Sequence, residues 1–348
     1  MYVALRDLRA AKGRFLLITA VVILVALLVT FLSGLTAGLA HRNIAAVQRL
    51  RGDAVVFADT GAAPSFDSSA LGGEQLAVWQ RAGGHVDPVG IVRAPAARSG
   101  TAPVPVALFG VDGPSFGNRL ATSGTVVLST AAAGQLRAAE GDTVYIGTAA
   151  FTVAAIEGDD WYSHSPVVWS TLSDWRTVDP RGGVATVLVV SGVGDRAAAN
   201  AAAHTRTTTV PGALSALSAY QAEHDSLTLM TVLLFVISAL VIGAFFTVWT
   251  MQRIPDVATL KALGATTGSL VRDALGQSLF VLLAGVGTGS ALTAAVSEFV
   301  GARVPFTLST TTTLVPGAAL VGLGLLGAAV ALRFLVTADP LVALQRAR

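Results

Sequence analysis

FLLITAVVILVALLVTFLSGLTAGLA, Phe15–Ala40, holds no charged residue, and crossing the hydrocarbon core of a bilayer, about 30 Å, takes about 20 such residues in a helix. The run is too long for a signal-peptide core of about 7–15 residues, although Gly38-Leu39-Ala40 would make a passable cleavage site. Three more uncharged stretches follow: Ser226–Gln252, Ala274–Ser297 and Val304–Leu332. Within the last, Ser309–Thr313 is a polar run suited to a loop, so the span is expected to begin near Leu314 or Pro316. One such stretch could be a buried helix of a soluble protein. Four in one chain predict an α-helical membrane protein with four transmembrane helices.

Composition agrees. Of 348 residues 53% are apolar and only 13% charged, which sets the chain apart from ordinary soluble proteins. A net charge of +2, evenly spread, gives no basic face for nucleic acid, so the expected surroundings are a lipid bilayer and no nucleic acid. The chain has no cysteine, which excludes disulfides, thiolate metal sites and covalent haem attachment. Any metal or haem would be held by nitrogen or oxygen.

Positive charge near span ends marks the cytoplasmic side. Arg6, Arg9, Lys12 and Arg14 precede the first span; Arg253, Lys261 and Arg272 lie between the second and third; Arg333, Arg346 and Arg348 follow the fourth. The short connection between the third and fourth spans carries only Arg303. The expected division is a cytoplasmic amphipathic segment 1–14, spans 15–40, 226–252, 274–298 and 314–332, an extracytoplasmic domain 41–225, a cytoplasmic loop 253–273, an outer loop 299–313 and a cytoplasmic tail 333–348.

The segment 41–225 is long enough for its own core. β-type runs at Ala54–Phe57, Val104–Val111, Thr125–Leu128, Thr143–Ile146, Phe151–Ile156, Val167–Trp169 and Val184–Val190 alternate with helical patches Ala131–Ala139 and Asp195–Ala203. This predicts a mixed α+β domain, with the Gly/Ala/Pro-rich Gly61–Ser69 as a mobile loop. His41, His85, His164 and His204 have no recognised catalytic or metal spacing, and HExxH and GxSxG are absent. Glu157-Gly-Asp-Asp-Trp-Tyr-Ser-His164 reads as a polar loop with aromatics at a membrane or partner surface. No GxxxxGK[ST] phosphate loop occurs, so the chain carries no ATPase and is not expected to be an enzyme.

In the loop, Ile254, Val257, Leu260 and Leu263, with Leu270 beyond, recur at three- and four-residue steps, and Gly264 is placed to end a short amphipathic helix. Its apolar stripe needs a cover, either the lipid headgroup layer or a groove in a partner.

The stretch Arg253-Ile-Pro-Asp-Val-Ala-Thr-Leu-Lys-Ala-Leu-Gly-Ala265 closely resembles the R-x-x-E-x-A-x-L-K-A-L-G-A loop of MacB/FtsX-type ABC transporter permeases, with Asp256 in the Glu position and Pro255 as a departure. The tail Ala338-Asp-Pro-Leu-Val-Ala-Leu-Gln-Arg346 resembles the closing D-P-x-x-A-L-x-R. The order of basic N-terminal segment (Ala4–Arg9), one span, outer domain and three spans is similar throughout. The resemblance implies a coupling helix seated in a cytoplasmic ABC ATPase subunit through Leu260, Lys261, Leu263 and Gly264, with Asp339 and Arg346 in support. ATP would be bound by that partner, and two copies of the permease would form a homodimer. Small-residue pairs Gly34/Gly38 and Gly285/Gly289, with Gly322, Gly324 and Gly327, would let helices approach closely.

Length and the stretch Val3–Phe15 look most like the haem-exporter permeases of Gram-positive bacteria, the HrtB type. This implies export of a hydrophobic or amphiphilic cargo, haem, as substrate, with no intrinsic cofactor. The alternatives are a drug or peptide exporter of the same fold, a transmitter of force to an extracellular hydrolase, and a sensor partner of a histidine kinase. Glu223 and Asp225, at the outer mouth of the second span, are helix-start carboxylates favoured by the dipole. An ionisable group at the edge of hydrocarbon also marks a functional site. The expected haem site takes Glu223 as ligand to iron, His224 as its alternative, Tyr220 beside them, Phe31 as a stacking wall and Arg42 for the propionates; no other metal is expected.

Overall fold

The computed structural model describes residues 12–112, 122–252, 254–300 and 304–337. Ala4–Arg9, Arg253, Arg303, Asp339 and Arg346 lie outside the described residues. The chain divides into two compact units, Leu39–Asp225 and the pair Met1–Gly38 with Ser226–Arg348.

A long helix, α1 (Lys12–Gln48), comes first. Then follow β1 (Ala54–Ala58), α2 (Gly73–Arg81), β2 (His85–Arg98), β3 (Val104–Val111), β4 (Thr125–Leu128), α3 (Thr130–Leu136), β5 (Thr143–Ile146) and β6 (Ala149–Ile156). They are succeeded by β7 (Trp161–Tyr162), β8 (Ser165–Ser170), α4 (Leu172–Val178), β9 (Val187–Ser191), α5 (Arg196–Ala203) and β10 (Thr205–Thr208). A 3₁₀ turn, Gly212–Ala216, leads into α6 (Ser218–Gln252).

The strands form one mixed sheet in the order β10-β1-β9-β2-β3-β8-β4-β6-β5, with β7 paired to β8. β2 also pairs with β5 through Ala96–Arg98, so β2, β3, β8, β4, β6 and β5 form a closed ring. β8 is buried at every position, because Val168 faces one apolar core with Val106 and Leu108 while Val167 and Trp169 face a second with Phe57, Phe109 and Tyr162. That second core takes in Ile44 and Val47 from the end of α1 and Leu50 just beyond it, and packs against Tyr220 of α6. In β2–β3, Gly90 and Gly110 are register partners. A Cβ on either would strike Trp175 of α4, so the pair leaves a flat bed for that buried ring.

Three sequence expectations change here. β2, β7 and β10 were not among the expected strands, nor α2 and α4 among the expected helices. Gly61–Ser69 is tied down: Phe66 is buried, Ser69 Oγ donates to the Thr186 carbonyl at 2.7 Å, and Arg181 donates to the carbonyls of Phe66, Asp67 and Ser69. Trp161 and Tyr162 belong to the interior rather than to a membrane or partner surface.

The membrane unit holds α6 and then α7 (Ile254–Ala262), α8 (Thr267–Val300) and α9 (Thr310–Thr337). With α1, the helices α6, α8 and α9 are long and apolar enough to cross a membrane. At about 1.5 Å rise per residue, the 35 residues of α6 exceed the hydrocarbon thickness. Ile18, Val22, Ala26 and Val29 form the buried stripe of α1, against Phe246, Leu282 and Ala328 of the other three. Gly285 and Gly289 of α8 lie against Val22, Ile23 and Ala26, and Thr30 and Thr293 share a buried 2.7 Å hydrogen bond. Gly34 and Gly38 receive Phe306 and Pro305 of the α8–α9 connection instead of another helix, and Gly322 meets no neighbour.

α9 begins before the expected Leu314. Ser309 caps it reciprocally, accepting from Thr312 N at 3.1 Å while its own N–H donates to Thr312 Oγ1 at 2.8 Å, so the threonine run is helical. Leu270 lies on α8, not on the short amphipathic helix.

Candidate functional site

Two places collect the predicted residues. The first lies where the end of α1 and the start of α6 meet the β7–β8 hairpin. Tyr162 pairs with Ser165, leaving Ser163 and His164 as a two-residue turn with φ of 45° and 61°. Such turns need positive φ at both positions and favour Asn-Gly; an ordinary L-residue there costs about 1–2 kcal/mol. The turn is held from outside. Ser163 N–H donates to the Asn43 carbonyl at 3.1 Å and His164 N–H to the Arg42 carbonyl at 2.9 Å, both on α1.

Side chains complete the clamp. Glu223 Oε2 accepts from Asn43 Nδ2 and stands 3.2 Å from His164 Nε2. Asn43 is buried, and its Oδ1 finds no partner among the described residues. The side chains of Glu223 and His164 are 29% and 44% exposed, so both can be reached from solvent. Just upstream of the hairpin, Asp159 pairs with His41 at 3.2 Å and Asp160 with Arg49 at 2.8 Å. Burial pushes the Asp160 carboxyl above its ordinary range, against the pull of Arg49 and of the Trp169 indole N–H. Asp159 and Asp160 thus tie the chain entering the hairpin to the end of α1 and the residues just after it.

Of the expected haem residues, Glu223 is in this cluster. His224 stacks on Tyr220, with ring centroids 5.2 Å apart. Arg42 lies over the Trp161 ring at 4.9 Å, a cation–π contact. Phe31, in the membrane unit, packs on Phe306 at 5.2 Å. Asn43 and His164 were not singled out from sequence as partners of Glu223, and a Ser-His turn gives no local signal for one. Among the described residues no group of three or more His, Asp or Glu is placed to hold a metal ion.

The second place is α7. Its end is a Schellman cap: Ala265 N–H donates to the Leu260 carbonyl and Gly264 N–H to that of Lys261, both at 3.0 Å. Gly264 has φ of 96°, on the side of the backbone map that glycine alone visits without strain. Leu260 and Leu263 are 41% and 80% exposed, and Lys261 is partly exposed beside them. Among the described residues nothing covers this apolar ridge.

Residues 228–340 match the FtsX-like permease C-terminal family. A Staphylococcus epidermidis protein named as a hemin transport system permease, HrtB, is 24% identical over 366 aligned residues, covering 99% of each chain. An uncharacterized ABC transporter permease of Mycobacterium tuberculosis is 31% identical over 119 residues, 34% of each chain. The periplasmic region of MacB from Actinobacillus actinomycetemcomitans covers 47% of this chain and 92% of its own, at 15% identity and a TM-score of 0.37.

Proposed function

We propose that this chain, an FtsX-like ABC transporter permease, is the membrane subunit of an exporter that moves haem outward using ATP hydrolysed by a separate subunit. The observation that carries this reading is the 24% identity, along 99% of both chains, to a protein named as a hemin transport permease. Two copies form a homodimer, both termini and α7 face the cytoplasm, and residues 41–225 lie outside. The exposed Leu260 and Leu263 enter a groove of the ATPase, Lys261 flanks them, and Gly264 fixes the end of the helix. Haem is cargo, and the permease breaks no bond.

Glu223 offers a partly exposed carboxylate to ferric iron, a hard cation suited to oxygen, and His224 is the nitrogen alternative. Tyr220 supplies an aromatic wall. Arg42 can meet a propionate by leaving the Trp161 ring, exchanging a cation–π contact for a charge-assisted pair. The test is a haemin titration of the permease–ATPase complex in nanodiscs, recording the Soret band and ATPase rate for wild type, Glu223→Ala and His224→Ala. The expected result is haemin-stimulated hydrolysis that Glu223→Ala abolishes. Full retention by Glu223→Ala rejects this site, and no response to haemin in the wild type rejects the cargo.

A further inference from the structure

Glu223 is held by the outer domain as well as by its own helix, and the contacts are specific. Its Oε2 accepts from Asn43 of α1 and lies 3.2 Å from His164 Nε2 at the tip of the β7–β8 hairpin. The tip has two further ties, both backbone hydrogen bonds to α1; Asn43 Nδ2, 3.2 Å from His164 Nε2, is a donor and adds none while that nitrogen donates to Glu223. Ser163 and His164 occupy positive φ, a conformation that persists when the surroundings over-determine it. His164 is also the most exposed of the three clustered side chains.

We infer that cargo and hairpin compete for Glu223, so that loading the site releases the hairpin tip from α1 and α6 and reports an occupied site to the outer domain. This rests on the reading of Glu223 as the cargo ligand and adds a regulatory role for His164, a positioning residue. Two physical effects drive it. A cationic metal on the carboxylate draws off the negative charge that makes the contact with His164 charge-assisted. A planar macrocycle seated on the carboxylate also needs the space that the imidazole fills at 3.2 Å. With the side-chain tie lost, the strained turn keeps only its two backbone bonds to α1.

The full-length permease–ATPase complex in nanodiscs provides the test, by hydrogen exchange of the peptide covering Trp161–Trp169, which contains the Ser163 and His164 amides. Haemin should speed exchange there about fivefold or more in the wild type. Glu223→Gln should exchange fast without haemin and not respond to it. His164→Gly removes the ring while suiting the positive φ; it should exchange fast without haemin yet still bind haemin by its Soret band. Haemin bound by the wild type with no change in exchange overturns the competition while leaving the cargo reading intact. Absence of a haemin Soret band in the wild type overturns both, and slow, wild-type exchange in His164→Gly overturns the role of His164.

Discussion

Gly264→Ala isolates the geometry of the proposed coupling helix, α7, from its chemistry. A Cβ at this position meets no atom within 4 Å, so the cost is conformational. At φ of 96° an L-residue loses about 1–2 kcal/mol, which shifts the population of the capped conformation about 5–30-fold. The relief available to alanine is to return to helical φ, breaking the Schellman bonds from Ala265 and Gly264 and changing the angle at which α7 leaves α8. The ridge of Leu260 and Leu263 then no longer presents the same face. Cargo-stimulated ATPase activity in nanodiscs should fall about 5–30-fold, with the ATPase still co-purifying. Gly268→Ala is the control, since it also meets nothing within 4 Å and lies within α8, where alanine is favoured. Activity of Gly264→Ala within twofold of wild type would refute the reasoning.

Leu263→Asp puts a charge on a residue that is 80% exposed, so insertion and thermal stability should stay as in wild type while ATPase co-purification is lost; retained co-purification removes α7 from the contact. Trp175→Ala empties the bed made by Gly90 and Gly110 and should destabilise the outer domain by about 3–5 kcal/mol. Fluorescence melting reads this domain, because Trp79, Trp161, Trp169 and Trp175 fall in it and Trp249 alone in the membrane unit. A melting temperature unchanged in Trp175→Ala would show that the ring is dispensable. Asp160 is raised by burial, so its folded form keeps a proton to higher pH than the unfolded chain. Its stabilisation is full below the ordinary value of 3.8 and lost as pH rises through the folded value. Asp160→Asn should remove that step, and a step that persists in the variant assigns it to another group. Asp59 and Asp142 are lowered by N–H donors from Gly61 and Ala139, so their contributions are lost on the other side, as pH falls below 3.8.

The amino-acid sequence by itself determined the four spans, the mixed α+β class of the domain between the first two, and the glycine that ends α7. Each is local: a run of uncharged residues, an alternation, or a positive-φ glycine after an apolar stripe acts over a few turns of chain. Tertiary structure decided the rest. β2 escaped detection because Pro88 and Pro95 interrupt HVDPVGIVRAPAAR, and prolines argue against a central strand. The strand survives because Pro88 has a register partner in β9 but none in β3, and Pro95 one in β3 but none in β5, so each missing N–H falls at the end of a pairing, where it interrupts the ladder least. The Ser309 cap decided where α9 starts, against a threonine run that reads as loop. The partners of Glu223 were hidden for a stronger reason: His164 lies 59 residues away and Asn43 180. Only the packing of α1, the hairpin and α6 around one apolar core brings them together, and no periodicity in any single element records that meeting.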